Sequence, residues 1–142
     1  MTQEERMLAG LPYIAGLEEL AEKQMECKKK LYELNNLGPE QMERKYSLLK
    51  DIIGKTEQYF IIETPFHCDY GKNIEVGEFF FANYNFTVLD VAKVTIGNNA
   101  HIGPNVSLYT SGHPIHPDSR NSGYSYGIPI TIGNNVWIGG ST

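Results

Sequence analysis

The 142-residue sequence predicts a mainly-β chain behind an N-terminal α-helical leader, and three observations carry that prediction. Apolar residues recur at three- and four-residue spacing over the first 55 positions. From about residue 57 that period is lost and the composition turns to Ile, Val, Phe, Thr, Asn and Gly. Beyond that point a nine-residue segment occurs twice. Thr95-Ile96-Gly97-Asn98-Asn99-Ala100-His101-Ile102-Gly103 aligns with Thr131-Ile132-Gly133-Asn134-Asn135-Val136-Trp137-Ile138-Gly139, and seven of the nine positions are identical.

Residues 1–55 read as the leader. Leu17, Leu20, Ala21, Met25, Lys28, Leu31 and Tyr32 fall on one stripe of a helix, with Glu19–Lys23 and Glu26–Lys30 as favourable i,i+4 pairs on the other side. Asn35-Asn36-Leu37-Gly38 ends that helix, and Pro39 stands where the next would begin. Met42, Tyr46, Leu49, Ile52 and Ile53 form a second stripe, stopped by Gly54. Each stripe needs cover, so the leader is expected to be a helical hairpin packed on the rest of the chain.

Residues 56–142 read as a solenoid. An Ile-Gly pair recurs after six residues, at 96 and 102 and again at 132 and 138, with Leu108 continuing the first series and Val76-Gly77 as an earlier, weaker rung. A six-residue period with one aliphatic per rung suits a triangular coil of three short strands, about eighteen residues per turn, whose inward side chains stack from coil to coil. Gly and Asn fit the corners, where the backbone needs conformations those residues tolerate. Residues 109–127 lack the rung pattern, yet the period resumes in phase at Ile132. That segment, with Ser111-Gly112-His113-Pro114-Ile115-His116-Pro117, is expected to be a loop leaving the solenoid, and the sharpest chemistry is expected in it.

Composition removes several function classes. Twelve Lys and Arg against seventeen Asp and Glu give a net charge of −5, which argues against nucleic acid or anionic membranes as partners. The apolar runs are too short to span a bilayer. Gln3, Glu4, Glu5 and Arg6 are unlike a signal peptide, so a reducing, cytoplasmic setting is expected. Cys27 and Cys68 cannot form a disulfide framework or a four-thiolate zinc site, and read as buried or incidental thiols.

Several of these segments resemble the maltose and galactoside O-acetyltransferases, a family of hexapeptide-repeat acyltransferases. They are the Ile-Gly rungs, Phe81-Ala82-Asn83-Tyr84-Asn85, the Gly112-His113-Pro114 loop and the run from Pro129 to Gly139. Met7-Leu8-Ala9-Gly10 with Tyr13, and Leu31-Tyr32-Glu33-Leu34-Asn35, match that family's helical leader. The resemblance implies a left-handed parallel β-helix, a homotrimer with active sites in clefts between subunits, and direct acetyl transfer from acetyl-CoA to a sugar hydroxyl without a metal. It makes His113 the general base and Asn83 a contact to the acceptor hydroxyl or the acyl region. Asp69 falls in the acceptor pocket, Trp137 on a wall of the acetyl-CoA cleft, and the backbone N–H near Gly140 at the developing oxyanion.

Two departures stand out. Relatives often carry a carboxylate just after the leader tyrosine, where this chain has Ile14 and Ala15, and relatives continue through further hexapeptides beyond Thr142, so the chain reads as truncated. Two alternatives stay open at this point. One is a trimeric β-helix that binds without turnover. The other is a zinc enzyme like the γ-class carbonic anhydrases, drawing on His67, His101, His113 and His116, although their spacing does not match that family's paired histidines.

Overall fold

The computed structural model describes residues 1–142. The leader begins with α1 (Gln3–Leu8), closed by a capping box in which Thr2 Oγ1 accepts from the Glu5 N–H and the Glu5 carboxylate accepts from the Thr2 N–H. A two-residue strand, β1 (Tyr13–Ile14), leads into α2 (Glu18–Asn35) and α3 (Met42–Ile52). The buried face of α2 is Leu20, Cys27, Leu31 and Leu34. Met25 and Tyr32, expected inside, are 52% and 75% exposed. The difference arises because the covered face is narrow and turned away from them: at about 100° per residue, Leu20, Cys27, Leu31 and Leu34 fall within about 60° of one another, whereas Met25 and Tyr32 stand roughly 120–140° round from Leu20. Along that one stripe Leu20 joins Met7, Tyr13, Tyr70 and Val91, while Cys27, Leu31 and Leu34 reach the main core. On α3 the buried residues are Leu48, Leu49 and Ile52, and Met42 stands out in solvent. The expected intrahelical pairs give way to partners on other elements: Lys23 pairs with Glu4, and Lys30 with Asp51 at 3.0 Å.

The remainder winds into three parallel walls. In chain order the strands are β2 (Phe60–Ile62), β3 (Phe66–Cys68), β4 (Ile74–Val76), β5 (Phe80–Ala82), β6 (Phe86–Leu89), β7 (Val94–Ile96), β8 (His101–Ile102) and β9 (Ser107–Tyr109). After an excursion formed by β10 (Ser111–Gly112), α4 (Pro117–Asn121) and β11 (Tyr124–Gly127), winding resumes with β12 (Ile130–Ile132) and β13 (Trp137–Ile138). The first wall stacks β4, β7 and β12; the second stacks β2, β5, β8 and β13; the third stacks β3, β6 and β9. Ile62, Ala82 and Ile102 line up inside the second wall, and Val76 and Ile96 inside the first. In the two early coils Phe60, Phe66, Phe80 and Phe86 fill the interior beside that aliphatic ladder, with ring centroids 5.9 Å apart for Phe66–Phe86 and 6.0 Å for Phe80–Phe86. Each fully buried ring contributes roughly 2–3 kcal/mol by removal from water.

The coil is longer than the expected eighteen residues. Partners in register lie twenty residues apart, as in Phe60 with Phe80, Phe66 with Phe86 and Ile74 with Val94. Two corners keep the six-residue step, seen from Ile96 to Ile102 and on to Leu108, whereas the third-to-first corner holds two extra residues, between Val88 and Ile96. We call this corner the wide edge. Its backbone is held by side chains of the coil above it. The carboxylate of Asp90, with no solvent exposure, accepts from the N–H groups of Asp69, Tyr70 and Asn73 at 3.0, 2.9 and 3.3 Å. One coil on, Thr110 Oγ1 accepts from the Ala92 N–H at 3.0 Å and donates to the Leu89 carbonyl at 2.6 Å.

At the tight corners Asn and Gly divide the labour. Asn85, Asn99, Asn105 and Asn135 take the left-handed conformation, with φ from 57° to 63°. Gly97 has ordinary φ and is required by close stacking: a Cβ there would lie 2.7 Å from the Gly133 carbonyl carbon and collide with Asn134 Oδ1.

The excursion is ordered. β10 and β11 pair antiparallel, with Ser111 opposite Gly127 and Gly112 opposite Tyr126, and the one-turn α4 sits at its tip. β11 also pairs antiparallel with β1, Ser125 facing Tyr13, so leader and excursion share one small sheet. No helix is long and apolar enough to cross a membrane.

Candidate active site

His113 follows β10, and Ser125 Oγ on the adjoining strand lies 3.3 Å from its Nδ1. Ser125 is buried, so the imidazole is anchored on one nitrogen. A shallow recess beside it is lined by His113, Arg120, Gly123, Tyr124 and Ser125. Arg120 is tied down in turn, its guanidinium donating to the Ile115 carbonyl at 3.0 Å. The rigidity of this ring owes much to β1: without Tyr13 opposite it, Ser125 would have no partner strand on its far side.

Asp69 stands on the same wide edge. Its N–H is held by the Asp90 carboxylate, and burial raises its own carboxyl above the usual range, opposed only by Lys28. Asp69 in turn acts on Tyr13, whose phenol is raised chiefly by burial and secondarily by that carboxylate. Asp69, Tyr13, Ser125 and His113 thus form a succession of neighbours along one edge. Asp90 is pushed up to about 6 because the desolvation of a buried carboxylate outweighs the N–H donors it collects.

Asn83 and Gly140 lie elsewhere, on the corner between the second and third walls. The Asn83 N–H donates to the Ile102 carbonyl, and its side-chain oxygen accepts from the Tyr84 N–H at 2.8 Å. Gly140 follows β13 and stacks over Gly103 and Pro104, and its N–H makes no hydrogen bond within the chain. Trp137 projects outward from the second wall, 81% exposed, at the top of a ladder of Ile61, Phe81, His101 and Trp137. His116 caps α4, accepting from the Asp118 N–H on Nδ1. No three His, Cys, Asp or Glu side chains converge as a metal ion would need.

Within one chain, therefore, His113 with Asp69 and Asn83 with Gly140 occupy different edges of the prism. Sequence reasoning singled out both groups but missed Ser125, Tyr13 and Asp90 as the residues that hold the first. Ser125 carries no motif of its own, and its pairing partner is more than a hundred residues away.

A three-walled coil of stacked short parallel strands places this chain with the hexapeptide-repeat acetyltransferases. Residues 6–57 match the model of the maltose acetyltransferase hexapeptide capping motif. The galactoside O-acetyltransferase of Escherichia coli is 42% identical over 98% of this chain and 68% of its own length. A maltose O-acetyltransferase from Clostridium difficile 630 superposes with a TM-score of 0.97 at 44% identity, over 99% of this chain and 75% of that one. A galactoside acetyltransferase in complex with coenzyme A gives 0.92 at 39% identity, over 99% and 74%. The chain belongs to the maltose and galactoside O-acetyltransferase family, and it is an acetyltransferase.

Proposed function

We propose that this chain transfers acetyl from acetyl-CoA directly to a hydroxyl of a sugar or glycoside, with His113 as general base. The observation that carries the reading is the anchored imidazole at the recess. If Nδ1–H donates to Ser125 Oγ, Nε2 keeps its lone pair, ready to take the hydroxyl proton as that oxygen attacks. Acetyl-CoA supplies the activated thioester carbonyl. The corner of Gly103, Pro104, Gly139 and Gly140 fits such a co-substrate: the Pro104 ring is its one side chain beside three glycines, and the Gly140 N–H is free to donate to a developing oxyanion. The exposed Trp137 indole gives the pantetheine or nucleotide a flat apolar wall beside it. Asp69 lines the acceptor pocket and Asn83 contacts the acceptor hydroxyl or acyl group.

The separation of these groups onto two edges supports a homotrimer in which the His113 edge of one subunit meets the Asn83 edge of the next. The exposed ladder on the second wall, with Tyr59 and Phe79 stacked at 5.7 Å nearby, supplies apolar surface for that assembly. We take the coil to be left-handed and the leader, residues 1–55, to be a unit distinct from the β-helix of 56–142. A cytoplasmic setting agrees with the two free thiols.

Release of CoA thiol from acetyl-CoA, measured over maltose, glucose and galactosides, tests the reading. His113→Ala should lower kcat by about 100- to 10,000-fold and leave the KM for acetyl-CoA in place. A variant as active as the parent would overturn the role of His113. Sedimentation should give a mass near three times the 16.0 kDa of one chain.

A further inference from the structure

We propose that Cys27 and Cys68 form a reversible dithiol–disulfide site, oxidised by a small peroxide entering the cavity beside Cys27. The two sulfurs lie 3.6 Å apart, Cys27 on α2 and Cys68 at the end of β3. A disulfide requires about 2.05 Å between sulfurs, so closure needs a displacement of about 1.5 Å shared between a helix and a strand end already in contact. These are the only cysteines of the chain, and nothing in acetyl transfer uses them. Cys27 is buried against the protein on one side, but on the other it faces a cavity of about 200 Å³ lined by Glu4, Lys23, Lys30, Tyr70 and Lys72 among others. That space admits a molecule the size of hydrogen peroxide and excludes a protein thiol.

The local electrostatics select which sulfur reacts first. The hydrogen bond from Cys68 lowers the Cys27 thiol, with Lys30 assisting, against burial and the carboxylates of Asp90 and Asp69. Cys68 is held protonated by that hydrogen bond and by burial. The Cys27 thiolate attacks one peroxide oxygen, and the O–O bond breaks to leave a sulfenic acid and hydroxide, which takes up a proton to become water. The Cys68 sulfur then attacks Cys27 Sγ, forming the S–S bond as its own proton and the sulfenic hydroxyl leave as water. Overall two thiols and one hydrogen peroxide give one disulfide and two waters, the sulfurs losing two electrons and the peroxide gaining them. The product covalently staples the leader helix to the third wall.

The test treats the folded, full chain with a small excess of hydrogen peroxide, followed by alkylation under denaturing conditions, intact mass and peptide mapping. The expected product is about 2 Da lighter, resists alkylation, yields one linked peptide joining Cys27 to Cys68, and reverts with dithiothreitol. Its thermal midpoint should rise by roughly 10 °C, the expectation for closing a loop of this span in a chain of this size. In Cys68→Ser the same treatment should leave Cys27 as a trapped sulfenic acid or a higher oxide. Two alkylatable thiols after treatment, Cys27 over-oxidised in the parent chain, or a disulfide only between chains would each overturn the proposal. The parent protein alone decides these outcomes, so they stand even if the variant misfolds.

Discussion

Replacing Asp90 by Asn removes the most deeply buried ionisable carboxyl of the chain while keeping one acceptor oxygen and nearly the same shape. Two effects compete at this side chain. The N–H groups of Asp69, Tyr70 and Asn73 favour the ionised form, and complete burial favours the neutral one. Burial prevails, and the group sits near about 6 instead of 3.8. That displacement corresponds to about 3 kcal/mol. Below about pH 4 the carboxyl is protonated in the folded and unfolded chain alike, so its full contribution is present. Between about pH 4 and 6 the unfolded chain ionises first, the folded chain binds more protons, and stability falls as pH rises. Above about pH 6 the contribution is gone. The Asn variant has no such titration. The stability of the parent relative to Asp90→Asn should therefore drop by about 3 kcal/mol from pH 4 to pH 7, read from urea unfolding at fixed protein concentration. A difference that stays flat would show that the N–H donors balance burial, one that grows with pH that they outweigh it, and either would refute the reasoning.

Further expectations concern the corners and the hairpin. Gly97→Ala should lower stability by roughly 2–3 kcal/mol in urea unfolding, because its new Cβ meets the backbone of the next coil at Gly133 and Asn134 as well as the Asn134 side chain, and the backbone cannot swing aside. Asn99→Ala should cost about 1 kcal/mol through its φ of 57°, whereas Asn99→Gly should be nearly neutral. Ser125→Ala should cut kcat about tenfold through loss of one hydrogen bond to His113, with the KM for acetyl-CoA unchanged, in the CoA-release assay.

What the sequence revealed follows its local repeats. The later coils were legible because Ile96, Ile102, Ile132 and Ile138 repeat at short range beside glycines. The first two coils were nearly silent, since their rung positions hold Ile62, Cys68, Ala82 and Val88 with no glycine after them, and much of their interior is filled by Phe60, Phe66, Phe80 and Phe86 from the neighbouring inward position. The helices were legible as elements, but their buried faces were not. Which side of α2 is covered depends on Met7, Tyr70 and Val91 arriving from three other places. The same limit applies to the site. Gly112-His113-Pro114 announces itself, while the β1–β11 pairing that fixes Ser125 joins residues distant in sequence. Asp90 looks like any loop acid until the chain has closed around it, and the twenty-residue coil was hidden because its two extra residues fall at a corner with no repeat of their own.

That corner has a consequence for how such a chain can change. All of the slack in each coil is collected along one seam, where Asp69, Asp90 and Thr110 succeed one another and from which the hairpin bearing His113 departs. The other two seams are turned as sharply as Asn and Gly permit, and added residues there would throw the walls out of step. New lengths of chain can enter along the seam without unstacking a single rung. The molecule therefore behaves like a bound book: pages are fixed at two margins, and inserts are tipped in at the third, beside the group that does the chemistry.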